Sequence, residues 1–195
     1  PAWLAVCNRW IPGAHCQSDI ALALQQLASQ RDSNSEDADQ AAAILAEWKI
    51  NQPRELVLLL QSASLTQLPR IVDVIRAFPA QVASELQKQA TASLAELQAL
   101  PAAKSEAEQV KLDEQAAAVA NLLVTQWSIA PASFNPKLLL PAADPRLRTE
   151  LIHRLSQSRI SAAQVVHWFR SEKDSGSRSA LLLCLSRFSA RELPE

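Results

Sequence analysis

Apolar residues recur at steps of three and four along most of this chain of 195 residues. Such spacing places them on one face of an α-helix, whereas a half-buried strand would alternate apolar and polar residues. No stretch of useful length alternates in that way. Pro53 and Pro79 stand where helices begin, and Pro101 stands where one ends. The sequence therefore predicts an all-α fold.

The composition excludes several classes of chemistry. Phosphate-binding loops, dinucleotide fingerprints and nucleophile elbows each need clustered glycines, and this chain has only two. The 19 Lys and Arg nearly balance 20 Asp and Glu, which disfavours nucleic acid and anionic membranes as partners. No apolar run approaches the ~18 residues that span a bilayer. We predict no catalytic residue, no cofactor and no membrane insertion.

Three regions follow from the pattern of apolar and polar residues. Residues 1–37 are expected to form an irregular segment, a first helix and a linker, because the run 31–37 has no apolar residue. Residues 38–101 form a first helical-repeat block, and residues 102–195 form a second block continuous with it. A charged joint is expected at 102–109. Because the chain starts at Pro1 and has no Met, we expect it to be a piece of a longer protein.

The predicted helices each carry one apolar face. In the first block these faces comprise Ala41, Ile44, Leu45 and Trp48; Leu56, Leu59 and Leu60; Leu68, Ile71, Val72 and Ile75; and Val82, Leu86, Ala90, Leu94 and Leu97. In the long Ala-rich helix that opens the second block, the face comprises Leu112, Ala116, Val119, Leu123 and Trp127.

Internal repeats connect these helices. The segment 40–44 (QAAAI) recurs as 115–119 (QAAAV), and Asp144–Arg148 recurs thirty residues later as Asp174–Arg178. Each Asp is expected to cap a helix. The residues that follow match as Leu151, Ile152 and Leu155 with Leu181, Leu182 and Leu185. Since one helix pair cannot cover its own apolar face, stacking into an α-α superhelix is predicted, a HEAT/armadillo-like solenoid of irregular repeats.

The segment 144–155 (DPRLRTELIHRL), followed by 179–188 (SALLLCLSRF), resembles the HEAT-like helical region of large multidomain bacterial proteins. The resemblance continues upstream through 115–123 and 58–77, and covers roughly residues 39–194. Two departures stand out. A proline-containing stretch replaces the family's usual Gly around 127–136, and Gly176 stands where the family favours Val or a similar residue.

In that family the helical region lies between a Ser/Thr protein kinase domain and a formylglycine-generating (sulfatase-modifying factor) domain. The resemblance implies a non-catalytic protein-interaction or scaffold solenoid that spaces or orients these flanking domains of the same polypeptide. Its partners would be those domains or another protein, and a cytoplasmic location is expected.

Basic residues gather towards the end of the chain, and the candidate interaction surface comprises Arg146, Arg148, His153, Arg154 and Arg178. The repeat places Arg148 and Arg178 at equivalent positions, which could form a ridge along stacked helices. The alternative function is therefore an autonomous solenoid that binds an acidic partner or nucleic acid through this Arg ridge. The structural interpretation, which we favour, is pairing with nearby carboxylates (Glu150, Glu172 and Asp174) and a packing or capping role for His153.

Cysteine, histidine and tryptophan complete the candidates. Cys7 and Cys16 could form a disulfide across the intervening turn, but three reduced, partly buried thiols including Cys184 are the favoured interpretation. His15 with the first two cysteines offers three soft ligands at most, so we predict no metal site. Trp48, Trp127 and Trp168 fall on or beside apolar faces and are expected in the core.

Overall fold

The computed structural model describes residues 36–194 together with residues 22, 24–26 and 28, which are helical. Residues 36–194 form α1 (Glu36–Trp48), α2 (Pro53–Ser62), α3 (Leu68–Ala77), α4 (Pro79–Ala99), α5 (Glu106–Ile129), α6 (Arg146–Leu155), α7 (Ala162–Ser171) and α8 (Ser175–Leu185). Two 3-10 helices, η1 (Pro131–Ser133) and η2 (Pro136–Leu139), lie between α5 and α6. No strand occurs in the described residues, so the chain is all-α as predicted. Within the same residues, no helix is long and apolar enough to cross a bilayer.

Helix starts follow the predicted capping chemistry. The Asp174 carboxylate accepts the backbone N–H groups of Gly176 (2.8 Å) and Ser177 (2.9 Å) at the start of α8. Asp144 accepts the N–H of Arg146, the first residue of α6, at 3.0 Å. These bonds satisfy N–H groups that have no partner inside the helix. The capping prediction is confirmed for Asp174, whereas Asp144 bonds the start of α6 from one residue before the cap position, which Pro145 occupies.

The expected joint at 102–109 is shorter in the structure. The side chain of Ser105 accepts the backbone N–H of Glu108 at 3.3 Å, and the Glu108 carboxylate accepts the N–H of Lys104 at 2.7 Å. These reciprocal bonds begin α5 at Glu106, so only residues 100–105 connect α4 to α5.

Helix α5 is 24 residues long, and its C-terminal half is enclosed by its neighbours, whereas residues 106–111 are exposed. It packs against α2, α3, α4 and α6. Its predicted apolar face is buried throughout, and residues on its other sides are buried too: Ala120, Asn121, Leu122, Val124 and Thr125. An amphipathic pattern predicts only one buried face. It missed these further buried residues because, where other helices surround α5 on all sides, no exposed polar face marks the boundary of the buried one.

Helices also contact the next but one along the chain. Helix α1 packs on α3, α2 on α4, α3 on α5, and α6 on α8. One hydrophobic core cluster runs from Ala42 in α1 to Cys184 in α8. The predicted apolar face of α3 lies wholly within it, with Leu68, Ile71, Val72 and Ile75 each fully buried. The two predicted blocks therefore share one core.

The start of α8 approaches Pro141 closely. A Cβ atom at Gly176 would lie 2.6 Å from the ring Cδ of Pro141, far inside van der Waals contact. Glycine is required here because the rigid proline ring occupies the space of a side chain.

Helix α8 also corrects one predicted equivalence. Leu181 is fully buried like Leu151, but Leu182 is 51% exposed whereas its supposed counterpart Ile152 is 7% exposed. Because α8 is covered by α6, α7 and η2 from one side, Leu181 and Cys184 turn inward and Leu182 turns outward. The match between Ile152 and Leu182 is wrong.

Candidate functional site

The five residues of the predicted interaction surface do not form one exposed ridge. Four lie on α6, and Arg178 lies on α8, which packs on α6. Arg154 is buried, whereas Arg146, Arg148 and His153 are half-buried and Arg178 is exposed. The structure therefore gives these residues different roles.

Arg154 is an internal residue. It is 6% exposed, its Nε donates to Asn121 Oδ1 at 2.7 Å, and its Nη1 pairs with Glu150 one turn earlier in α6. Burial lowers the pKa of the guanidinium to about 10, so Arg154 remains cationic at neutral pH. Its assignment to a surface is corrected, and its pairing with Glu150 agrees with the structural interpretation.

Asn121 connects this ion pair to a distant helix. It is fully buried in α5, and its Nδ2 donates to the carbonyl oxygens of Leu60 (3.0 Å) and Ala63 (2.9 Å) at the end of α2. We call these groups, with Arg154 and Glu150, the buried polar network. It links α2, α5 and α6. At the end of α2 it adds a second donor to the Leu60 carbonyl, which also accepts the Ala63 N–H at 3.2 Å, and it supplies a donor to the Ala63 carbonyl. No pattern in the sequence indicates this network, because an Asn in an Ala-rich helix resembles a surface residue.

The side chains of Arg146 and Arg148 link α6 to neighbouring segments of the chain. Arg146 Nη1 lies 2.6 Å from Asp144 and its Nε lies 2.7 Å from Asp113 of α5. Hydrogen bonding, first to Asp144 and then to Asp113, raises the pKa of Arg146 above its ordinary value. Arg148 Nε donates to the carbonyl of Leu139 in η2 at 2.9 Å. Both arginines make structural contacts, although neither pairs with Glu150, Glu172 or Asp174, the carboxylates expected as partners.

The remaining arginines at this end are exposed. The Arg178 guanidinium lies 4.6 Å from the centre of the Phe169 ring, a cation–π distance. Three others are exposed and, within the described residues, no carboxylate pairs with them: Arg170, Arg187 and Arg191. We call these four residues the C-terminal cations. Of these four, only Arg178 belongs to the predicted interaction surface; the other three are exposed cations outside it.

Three aromatic rings form a cluster: Trp127 of α5, Phe134 between η1 and η2, and Trp168 of α7. The Phe134 ring stacks on Trp168 with centroids 4.0 Å apart and planes 9° apart, and meets Trp127 edge-on at 5.0 Å. Trp127 and Trp168 are 6.5 Å apart and nearly perpendicular. Both tryptophans are buried, which confirms their prediction as core residues, and Trp48 is half-buried. The sequence did not single out Phe134, because it lies in a proline-bounded stretch without helical period.

A cleft of about 520 Å³, here called the aromatic cleft, opens beside this cluster. One wall is the proline-containing segment and the other is α7, whose contributing residues follow one helical face. The lining comprises Pro131, Ala132, Phe134, Pro136, Gln164, His167, Trp168, Ser171 and Glu172. Its size is in the range of ligand sites, and it combines an apolar floor with a few polar groups.

The cysteine and metal predictions are tested in part. Cys184 is fully buried and free, and burial raises the pKa of its thiol to about 12. The expectation of a buried reduced thiol is confirmed for Cys184. Cys7, Cys16 and His15 lie outside the described residues. In the part of the chain that is described, no three His, Cys, Asp or Glu side chains gather as a metal site would require.

Comparison of the chain with models of known protein families, with curated proteins and with solved structures finds no match. The resemblance to the HEAT-like region therefore stays a prediction that rests on the residues quoted for it. The chain's own geometry must carry any functional proposal.

Proposed function

We propose that the chain is a non-catalytic helical-repeat module of HEAT-like solenoid type that holds or orients other protein units. The observation that carries this proposal is the packing order of the helices. Four pairs of helices two apart in the chain (α1 with α3, α2 with α4, α3 with α5, and α6 with α8) pack together on one continuous core, as helices of stacked repeats do.

The buried polar groups support a role in which a fixed shape matters. Asn121 ties the end of α2 to α6 through Arg154, and Arg146 ties α6 to α5 through Asp113. Buried polar groups that are paired with one another favour a single arrangement of the helices that carry them. A module with such ties is suited to set the distance between the units on either side of it.

The proposed context is a larger cytoplasmic protein with a kinase domain before this module and a formylglycine-generating type domain after it. The two motifs behind this idea lie in α6 and around α8, which pack together as stacked helices would. An antibody to this segment, used on source cells, measures the mass of the native protein. A mass several times 21.3 kDa is expected, and a mass near 21.3 kDa would contradict the linking role.

A second candidate function is binding of an acidic partner or a nucleic acid through the C-terminal cations. Their exposure, without a carboxylate partner in the described residues, favours it. Binding to a labelled oligonucleotide and to a poly-glutamate peptide should fall steeply with added salt.

Matched variants make this second test specific. Replacing Arg170 and Arg187 by Gln should weaken binding, whereas the same change at Lys88 and Lys104 near α4 should not. No binding at low salt, or equal loss in both double variants, would eliminate this candidate.

A further inference from the structure

We infer that the aromatic cleft is a binding site for a cationic side chain, an arginine or lysine presented by a partner peptide. This inference rests on the proposed function and names the chemistry of the partner it would engage. It starts from the floor of the cleft. Phe134 contacts Trp168, which stacks on one of its faces at 4.0 Å, and Trp127, which meets it edge-on at 5.0 Å. Because the rings are already held in place, binding does not carry the entropy cost of ordering them.

Charge determines which ligand fits. Among the nine lining residues, Glu172 is the only Asp, Glu, Lys or Arg. Its Oε1 accepts the backbone N–H groups of Lys173 (2.7 Å) and Asp174 (2.8 Å), which holds the carboxylate in place. Within the described residues its Oε2 takes no hydrogen bond. Arg170 and Lys173 are exposed and do not line the cleft. A carboxylate that lines the same cleft as a half-buried phenyl ring favours a cation with an apolar stem.

The polar residues on α7 suit a peptide rather than a free ion. Gln164, His167 and Ser171 follow one another at steps of three and four, along the same wall as Trp168. The amide and imidazole groups can bond the main chain of an extended segment, and the Ser171 hydroxyl, which donates to the Trp168 carbonyl at 3.0 Å, can still accept a main-chain N–H. The fold already uses the same cation–aromatic pairing a short distance away, where Arg178 lies 4.6 Å above Phe169.

The experiment uses the full chain and two small peptide probes, whose central side chain is charged in one and apolar in the other. The probes are acetyl-Ala-Arg-Ala-amide and acetyl-Ala-norleucine-Ala-amide. NMR titration follows the indole N–H resonance of Trp168, assigned by its loss in Trp168→Phe. We expect the arginine probe to shift this resonance with a dissociation constant of about 1 mM, and the norleucine probe to bind about five-fold more weakly.

A charge-removing variant tests the role of the carboxylate. Glu172→Gln keeps the oxygen that accepts the two N–H groups but loses the charge, so the arginine probe should bind about five-fold more weakly. Glu96→Gln, an exposed carboxylate on α4, is the matched control and should bind like the original chain. Circular dichroism checks that both variants fold.

Three outcomes would overturn the inference: equal binding of both probes, no shift at Trp168, or unchanged binding in Glu172→Gln. The native-mass measurement does not depend on the cleft, so the two proposals fail separately. If the native protein is large but the module does not bind the arginine probe, only the proposal for the aromatic cleft is contradicted. A 21.3 kDa native protein that binds the probe supports the cleft and removes the linking role.

Discussion

Replacing Asn121 by Ala removes the centre of the buried polar network. The change deletes both N–H donors to the carbonyls of Leu60 and Ala63 and the oxygen that accepts from Arg154 Nε. Replacing these bonds with bonds to water would cost free energy, because Asn121 is fully buried and Arg154 is only 6% exposed. We therefore expect a large loss of stability from a substitution that removes few atoms.

The magnitude follows from the three bonds. Each of the two neutral bonds, at 3.0 and 2.9 Å, contributes about 1 kcal/mol, and the bond to the charged guanidinium, at 2.7 Å, contributes about 2 kcal/mol. The free energy of unfolding should thus fall by about 4 kcal/mol. That is a large fraction of the roughly 5–15 kcal/mol that stabilises a typical domain. The midpoint of thermal unfolding should fall by about 8–16 °C for a chain of this size.

Urea unfolding followed by circular dichroism measures the effect. Thr125→Val is the matched control: Thr125 is equally buried one turn later, but its hydroxyl bonds only the carbonyl of Asn121 in the same helix. Its cost should be about 1 kcal/mol. The double variant Asn121→Ala with Arg154→Met should lose less than the sum of the single losses, by about 1–3 kcal/mol. A loss below about 1 kcal/mol for Asn121→Ala, or strictly additive losses, would refute this account of the network.

Three further predictions concern α8. Leu181→Ala should lower the free energy of unfolding by about 2–5 kcal/mol, whereas its exposed neighbour Leu182→Ala should change it by less than about 0.5 kcal/mol in the same urea assay. Gly176→Ala should cost about 1–3 kcal/mol through its contact with Pro141, and adding Pro141→Ala should restore part of the loss. With the other two cysteines changed to Ser, Cys184 should react with a thiol reagent only as fast as the chain unfolds. Because its folded pKa of about 12 lies above its ordinary 9.0, its contribution to stability is complete below pH 9.0 and declines above it.

Similar losses for the two leucine variants would show that the faces of α8 are assigned wrongly. A fully stable Gly176→Ala would show that the approach to Pro141 is looser than 2.6 Å. Rapid labelling of Cys184 in the folded chain would show that its burial is incomplete.

Local features of the fold were predictable because they depend on neighbours in the sequence. The four inward residues of α3 and the helix starts bonded by Asp144 and Asp174 each follow from spacing or from a bond within three residues. Helix periodicity and capping chemistry act over one or two turns, so a single sequence contains the information.

The buried polar network and the aromatic cleft depend on residues far apart in sequence. Asn121 bonds carbonyls 58 and 61 residues away and a guanidinium 33 residues away. Whether a polar residue in a helix is exposed or buried is decided by these partners and not by its own surroundings in the sequence. Arg154 was therefore assigned to the surface, and Phe134 was not singled out.

The close approach of Gly176 to Pro141 bears on how chains of this kind change over time. A Cβ atom at position 176 would lie 2.6 Å from the ring of Pro141, so a side chain there requires the segment around Pro141 to move away. Positions 141 and 176 are therefore coupled: in related chains, a residue larger than glycine at position 176 should occur together with a residue other than proline at position 141.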